Sequence, residues 1–156
     1  MAEEITVRPA VTADAPALSE LVIAVLYASN LADYGAENVA RVAGHFSVED
    51  VKTMLGNRHA TFVALQGDRI VGTASLDLDE YGQTAAVKTI FVDARMQRLG
   101  IGARLYAHVV AKAAESGINR FTVRSSIVGI PFYERLGFVS VRDHWDGTER
   151  TVEMRN

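Results

Sequence analysis

The sequence predicts one α/β domain of the α+β kind, with a mixed and mostly antiparallel central sheet. Its 156 residues, 49% of them hydrophobic and 22% charged, suit one compact core, so we expect a single domain over residues 1–156. Three runs between residues 61 and 93 alternate apolar and polar positions, as antiparallel strands do. An amphipathic helical run over residues 100–116 lies between two strand-like runs, which indicates a crossover connection. We expect about six to seven strands and about four helices.

The amino-terminal part begins with a strand and continues in a helix. Ile5–Arg8 alternates apolar and polar residues and ends at Pro9, which cannot donate to a sheet. A helix follows, because Thr12 or Asp14 can cap it and the apolar residues after Pro16 recur at helical spacing.

Residues 30–57 form the least regular part of the sequence. Gly35 and Gly44 bracket a short polar helix, and Ser47 begins a cap that opens another helix to about Leu55. Irregular connections of this kind often carry binding residues.

The second half of the chain alternates strands with two helices. The long helix over residues 100–116 stops at Gly117, and a short helix is expected over residues 129–136. The expected strands cover residues 61–65, 69–78, 83–93, 120–124, 137–142 and 149–154.

Composition excludes several classes of protein. The chain has no cysteine, which excludes a disulfide framework, a thiolate zinc site, a cysteine nucleophile and an enzyme-bound thioester. A net charge of −3 argues against a nucleic-acid partner. Met1–Glu4 lacks the basic start of a signal peptide, and the longest apolar run is too short to cross a membrane. We therefore expect a cytoplasmic protein with no membrane partner.

Charge is unevenly divided along the sequence. Residues 1–87 hold five Lys or Arg and twelve Asp or Glu, whereas residues 88–156 hold eleven and seven. This asymmetry favours an anionic ligand on the carboxy-terminal half and a cationic ligand near the amino-terminal half. Chance surface patterning would produce the same counts.

The segment from Val92 to Ala103 combines glycines with basic residues at the start of the long helix. Gly100 and Gly102 permit a turn that aims successive N–H groups at one point, where the positive end of the helix dipole favours a phosphate. Residues 88–104 include one acid and four basic residues, Lys88, Arg95, Arg98 and Arg104. A plain glycine-containing loop is the alternative interpretation.

Other phosphate-binding and nucleophile motifs do not fit the sequence. A dinucleotide fingerprint needs a third small residue where Leu105 stands and an acid near Asn119–Arg120. The Walker pattern and the Gly-x-Ser-x-Gly elbow are also absent. Dehydrogenase, kinase and serine-hydrolase interpretations are therefore excluded.

A second segment, Ser125 to Phe138, makes a family resemblance recognisable. Gln97, Gly100 and Gly102 resemble the acetyl-CoA motif Gln/Arg-x-x-Gly-x-Gly/Ala of the GCN5-related N-acetyltransferase (GNAT) superfamily. That family's Phe-Tyr-x-x-x-Gly-Phe signature is matched by four further residues, Phe132, Tyr133, Gly137 and Phe138. The resemblance is strong from about residue 60 to 141 and hardly constrains residues 30–57.

The resemblance implies a coenzyme site. The sheet would splay between the strands before and after the long helix, and pantetheine would lie along the backbone of Ile90, Phe91 and Val92. Three adjacent apolar residues there break the alternation as a β-bulge would. Pyrophosphate would lie on backbone N–H groups after Gln97, from Arg98, Leu99, Gly100, Ile101, Gly102 and Ala103. Ser126 stands where some members carry an asparagine near the pantetheine arm.

The resemblance also implies a catalytic residue, Tyr133, which would give a proton to the departing coenzyme A sulfur. Packing beside Phe132 and Phe138 is the alternative role for this ring. The glutamate that certain protein-acetylating members use as a base falls on Phe121, so that base is absent here.

The general base and the acceptor stay open at this point. Candidates for the base are a water chain or one of four side chains, Asp77, Asp79, Glu80 and His45. No histidine pair has metal-ligand spacing, so no metal is expected. The resulting prediction is an N-acyltransferase that moves acetyl from acetyl-CoA to a primary amine of a small molecule by direct attack in a ternary complex. The acidic amino-terminal half suits a cationic acceptor. Alternatives are a peptide or protein N-acetyltransferase and a non-catalytic acyl-CoA sensor, and family members often form homodimers.

Overall fold

The computed structural model describes residues 4–156, the side chain of Thr89 apart, so Met1–Glu3 lie outside the described residues, as does most of the expectation about a signal peptide. Five helices are described: α1 Ala15–Ser29, α2 Leu31–Ala43, α3 Val48–Asn57, α4 Ile101–Ala114 and α5 Ile130–Arg135. Seven strands are described: β1 Ile5–Pro9, β2 Ala60–Gln66, β3 Arg69–Leu78, β4 Ala85–Val92, β5 Phe121–Ser126, β6 Val139–Asp146 and β7 Glu149–Arg155.

The strands form one sheet in the order β1-β2-β3-β4-β5-β7-β6. Every neighbouring pair is antiparallel except β4 and β5, which are parallel and joined by α4. The prediction of a mixed, mostly antiparallel sheet is confirmed, with seven strands and with five helices against the expected number of about four. None of the helices described for residues 4–156 is long and apolar enough to cross a membrane.

The parallel pair opens into a fork. β4 and β5 pair only at Ala85–Val87 with Phe121–Val123, and both strands continue beyond that point without pairing to each other. The fork therefore begins between Lys88 and Arg124. The predicted splay between the strands on either side of α4 is confirmed.

The two faces of the sheet are covered differently. The long helix α4 and the short helix α5 pack on the first face, in a core that includes Leu105, Val123, Tyr133 and Met154. Helices α1, α2 and α3 contribute to two further clusters, which include residues of β2, β3 and β4 such as Val63. Within residues 4–156, no apolar cluster covers the second face of β5, β7 and β6, where most side chains are charged or polar and Val139 is exposed.

Helix α2 differs from the short polar helix expected between two glycines. It runs from Leu31 to Ala43 across a kink at Gly35, whose φ of 80° suits a residue without a Cβ. Polar side chains then fasten α2 to the β6–β7 hairpin: Asn38 Nδ2 donates to Thr148 Oγ1 at 2.9 Å, and Arg41 pairs with Asp146 at 2.9 Å.

Candidate active site

A β-bulge interrupts β4 at the edge of the fork. Thr73 lies opposite Phe91, but Ser75 lies opposite Lys88, so β4 carries one extra residue between these two pairs. The extra residue falls at Thr89–Ile90, at the start of the apolar stretch where the sequence predicts a bulge. A bulge releases backbone groups from the ladder, which leaves them able to bind a ligand.

The loop between β4 and α4, residues 93–100, is called here the α4 entry loop. Asp93 accepts a hydrogen bond from the Arg95 backbone N–H at 2.9 Å and pairs with the guanidinium groups of Arg95 and Arg69. The Arg95 side chain accordingly lowers the pKa of Asp93. Asp93 is the one acidic residue of the α4 entry loop, and its ion pairs are with Arg69 and Arg95. It therefore does not offset the positive charge of Arg98.

Gln97 fastens the α4 entry loop to the body of the protein. Its side-chain amide donates to the Val92 carbonyl at 3.3 Å and reaches Ser29 Oγ at 3.5 Å. The sequence predicts Gln97 as a coenzyme-binding residue, and the structure gives it two protein contacts that position the loop.

The end of the α4 entry loop has left-handed backbone. Arg98 has φ 68°, and it is the one residue other than glycine with a positive φ in the described part of the chain. Gly100, the N-cap of α4, has φ 79°. The first N–H groups of a helix have no partner within it, so those at the start of α4 face the loop as anion-binding donors.

Close packing against α5 explains why position 102 is a glycine, and nothing in the sequence indicated this contact. A Cβ at this position would lie 2.8 Å from Phe132 Cε2 and 3.0 Å from Phe132 Cζ. The glycine therefore lets the first turn of α4 touch α5, which joins the loop to the helix that carries Tyr133.

Tyr133 lies at the interface of α5 with the first face of the sheet. Its side chain is buried, at 7% exposed, and its ring packs edge-on against Phe132 and Phe138, with centroids 5.1 and 5.6 Å apart. Burial raises the pKa of Tyr133 far above its ordinary value. The hydroxyl is therefore protonated throughout the neutral range. Both predicted roles, packing and acid, are compatible with this environment.

Ser126 ends β5 and starts the turn into α5. Its hydroxyl accepts from the Gly129 N–H at 3.2 Å, while the neighbouring Ser125 hydroxyl donates to the Ser126 carbonyl. The sequence predicts Ser126 as a residue near the coenzyme, and in the structure it caps the turn.

The second face of the sheet is basic beside the fork. This basic face is defined by five residues, Lys88, Arg124, Arg142, His144 and Arg155. Residues at alternating positions, Val87, Val123, Val152 and Met154, point into the core, so their neighbours point outward to this face. Its carboxylate, Glu153, lies within 3.5 Å of Arg142, His144 and Arg155. These contacts, with the hydrogen bond from His144 the largest, lower the pKa of Glu153.

Arg124 lies at the point where the fork begins, and its positive charge is not paired with a carboxylate of the described residues. Its guanidinium lies 3.4 Å from His144 Nδ1, while His144 Nε2 lies 3.3 Å from Glu153. Within residues 4–156 no ion pair involves either Arg124 or Lys88.

All four candidate side chains for the base have other partners or lie away from the fork. Asp77 lies opposite Ala86, close to the fork, but its oxygens accept from Arg58 at 2.7 Å and from the His59 N–H at 3.1 Å. Asp79 holds the β3–β4 turn by accepting from Gln83 and Thr84, and these bonds lower its pKa.

Glu80 lies exposed in that turn, at the closed end of the pair, and His45 is exposed after α2. None of these four side chains therefore lies in the fork with its basic atom free to accept a proton from an amine.

Tyr34 connects three elements that surround the fork. Its hydroxyl donates to the Arg150 carbonyl at 2.6 Å and accepts from the Ile127 N–H at 2.8 Å. Ile127 begins the turn that leads to α5 and Tyr133. Burial raises the pKa of Tyr34. Sequence reasoning missed this residue because nothing in residues 30–45 indicates which distant segment an α2 side chain contacts.

One cavity is separate from the fork. It measures about 530 Å³ and lies beside the carboxy-terminal half of α4, where its lining includes His59, His108 and Lys112. The His108 ring packs against Phe62 at 5.6 Å. Among the described residues, no group of three or more His, Asp or Glu could hold a metal ion.

The match to a known family agrees with this geometry. The sequence profile of the acetyltransferase (GNAT) domain matches residues 30–149, so the chain belongs to the GNAT family of N-acetyltransferases. The predictions of family and enzyme class are thereby confirmed. No protein with a curated description matches the sequence significantly.

Solved structures share the fold at low sequence identity. A GCN5-related N-acetyltransferase from Rhodopseudomonas palustris is 19% identical, with a TM-score of 0.86 over 100% of this chain and 97% of that one. The PaiA N-acetyltransferase from Thermoplasma acidophilum, solved with coenzyme A, is 17% identical, with a TM-score of 0.82 over 98% of each chain. An aminoglycoside 6′-N-acetyltransferase, also solved with coenzyme A, is 15% identical, with a TM-score of 0.73 over 97% and 96%.

Proposed function

We propose that residues 1–156 form one N-acetyltransferase domain that transfers acetyl from acetyl-CoA to the primary amine of a small molecule. The observation that carries the proposal is the combination of the bulged fork with a left-handed helix start beside it. These two features offer released backbone groups and unpartnered N–H donors along one line. Neighbours of the same fold that act on aminoglycosides support a small acceptor.

The residues present fit an acyl-CoA. Pantetheine would lie along the backbone of Ile90, Phe91 and Val92, where β4 no longer pairs with β5. Pyrophosphate would lie on the N–H groups of residues 98–103, and Arg98 adds a positive charge there. When bound, acetyl-CoA supplies an activated acyl carbon. Gln97 and Ser126 hold the loop and the turn on either side by the contacts already described.

Tyr133 would act as the acid of the reaction. The acceptor nitrogen forms a bond to the acyl carbon, the carbon–sulfur bond breaks, and the sulfur takes the Tyr133 proton to leave as a thiol. The proton lost by nitrogen passes to solvent, and a proton from solvent restores the tyrosine, so no net proton is lost from the enzyme. Because burial keeps this hydroxyl protonated, it is a donor at neutral pH. With no cysteine in the chain, direct attack in a ternary complex is favoured over an acyl-enzyme.

The experiment is thiol release from acetyl-CoA with a panel of amines, amino acids, aminoglycosides and peptides, for the wild type and Tyr133→Phe. We expect kcat to fall by about tenfold or more in Tyr133→Phe while coenzyme A affinity stays within about twofold, because only the proton donor is lost. Tyr106→Phe is the matched control, because Tyr106 is a half-buried tyrosine on the same face of the sheet.

Four outcomes would contradict parts of the proposal. An unchanged kcat in Tyr133→Phe would leave the ring a packing role only. Tight coenzyme binding without turnover of any amine would favour the sensor alternative. Turnover of peptides alone would favour the peptide N-acetyltransferase. An acetylated protein formed from acetyl-CoA alone would exclude direct transfer.

A further inference from the structure

The fork can be entered from two faces, and only one of them is free for an acceptor. The first face is filled by α4 and α5, with the Gly102–Phe132 contact closing the space between these helices. The coenzyme's phosphates belong at the α4 entry loop, beside that contact, under the function proposed above. The acceptor amine therefore approaches from the second face, past Lys88 and Arg124.

That second face is basic within an acidic protein. Although the net charge of the chain is −3, the basic face holds four permanent cations and one carboxylate. The carboxylate, Glu153, is already held by its three neighbours. The local charge beside Lys88 and Arg124 is therefore positive, and it attracts anions and repels cations.

Arg124 is held in place without being neutralised. Its guanidinium lies 3.4 Å from His144 Nδ1, and the other nitrogen of that ring lies 3.3 Å from Glu153. A guanidinium positioned in this way retains the paired N–H donors that recognise carboxylate and phosphate groups. Lys88 lies on the neighbouring strand at the same level of the fork, and it is exposed.

We propose that the acceptor is an amine that also carries a carboxylate or phosphate group, and that Arg124 and Lys88 bind this anionic group. The proposal rests on the acetyl transfer proposed above and adds the class of acceptor. It reverses the expectation of a cationic acceptor drawn from the acidic amino-terminal half, because the charges that face the fork come from β4, β5, β6 and β7.

The test compares matched amines with and without an anionic group: alanine with alaninamide, and phosphoethanolamine with ethanolamine, plus spermidine as a cation. For each pair the ratio of kcat/KM values is measured in the wild type, Arg124→Gln and Lys88→Gln. The matched control is Arg120→Gln, an exposed arginine just before β5 at the closed end of the fork.

We expect the anionic-to-neutral ratio to fall about tenfold or more in Arg124→Gln, less in Lys88→Gln, and to be unchanged in Arg120→Gln. Loss for the alanine pair alone would assign a carboxylate, and loss for the phosphoethanolamine pair alone a phosphate. Arg124→Glu should raise the relative use of spermidine.

The proposal is overturned if the ratios are unchanged in both variants, if the wild type prefers spermidine, or if only the KM for acetyl-CoA rises. The last result would assign the basic face to the coenzyme. Should no amine be acetylated, the proposed function fails separately, and calorimetry on the coenzyme A-loaded protein then decides. Saturable binding of alanine or phosphoethanolamine that Arg124→Gln abolishes would support the anion site, and its absence in the wild type would overturn it.

Discussion

The two sides of the fork are built in different ways. The proposed coenzyme side comes from one continuous stretch, residues 90–103, and offers backbone groups whose direction is set by a bulge and two left-handed residues. The proposed acceptor side is assembled from α2, β4, β5, β6 and β7, and it offers side chains. A backbone site tolerates many side chains and leaves a short motif in the sequence. A site of separate side chains can change its ligand by single substitutions, and it leaves no motif.

The strongest test of the coenzyme side is Gly102→Val. The new side chain would overlap the Phe132 ring, which packs against Tyr133, so α4 and α5 must separate. We expect a loss of about 1–3 kcal/mol in the free energy of unfolding and weaker coenzyme A binding. Denaturant melts and calorimetric titration measure both. Gly56→Ala, where the helix surface is open, should be neutral or stabilising, and equal losses in the two variants would contradict the packing argument.

The acceptor side is tested next by Tyr34→Phe. Removing the hydroxyl leaves the Ile127 N–H and the Arg150 carbonyl without this partner, at a cost of about 1–2 kcal/mol. We expect kcat to fall because the turn that leads to Tyr133 loosens, with KM for acetyl-CoA nearly unchanged. Steady-state kinetics with both substrates varied separates these effects. Tyr27→Phe, on the exposed side of α1, is the control, and an equal change there would remove the special role of Tyr34.

Arg98→Gly tests how the α4 entry loop combines backbone strain with a positive charge. Left-handed backbone is strained for arginine and free for glycine, so we expect a gain of about 0.5–1 kcal/mol in stability. Coenzyme A binding should weaken and lose part of its salt dependence, because a cation is removed from the α4 entry loop. Melting and titration at two salt concentrations check this. A destabilised variant would show that the arginine side chain supports the loop.

The smallest expected effect concerns one carboxylate on each side, Asp93 and Glu153. Neighbouring basic groups lower the pKa of both carboxyls in the folded state. Each pair therefore adds stability that is complete above the unfolded pKa, about 4, and is lost as pH falls below it. Since both pairs are near the surface, each adds under about 1 kcal/mol. Melts from pH 3 to 7 for Asp93→Asn and Glu153→Gln should converge with the wild type at the acidic end.

The sequence predicts what depends on local pattern. Strand alternation, helix caps at Ser47 and Gly100, and two motifs in register led to the fold, the fork and the family. It could not predict contacts between side chains that are distant along the chain. The hydrogen bond from Tyr34 to Arg150 spans 116 residues, and the Arg124–His144 contact depends on the register of three strands. The overall charge of each half could not indicate which charges face the fork, because the strand order of the sheet decides that.

The strand order has a consequence for how this protein acquires its structure. β7 follows β6 in the sequence but lies between β5 and β6 in the sheet, so β5 has no partner on that side until β7 is inserted. Strands β2, β3 and β4 follow one another directly and can meanwhile form their own ladders. We therefore expect the proposed acceptor surface to be completed later in folding than the ladder that carries the proposed coenzyme site.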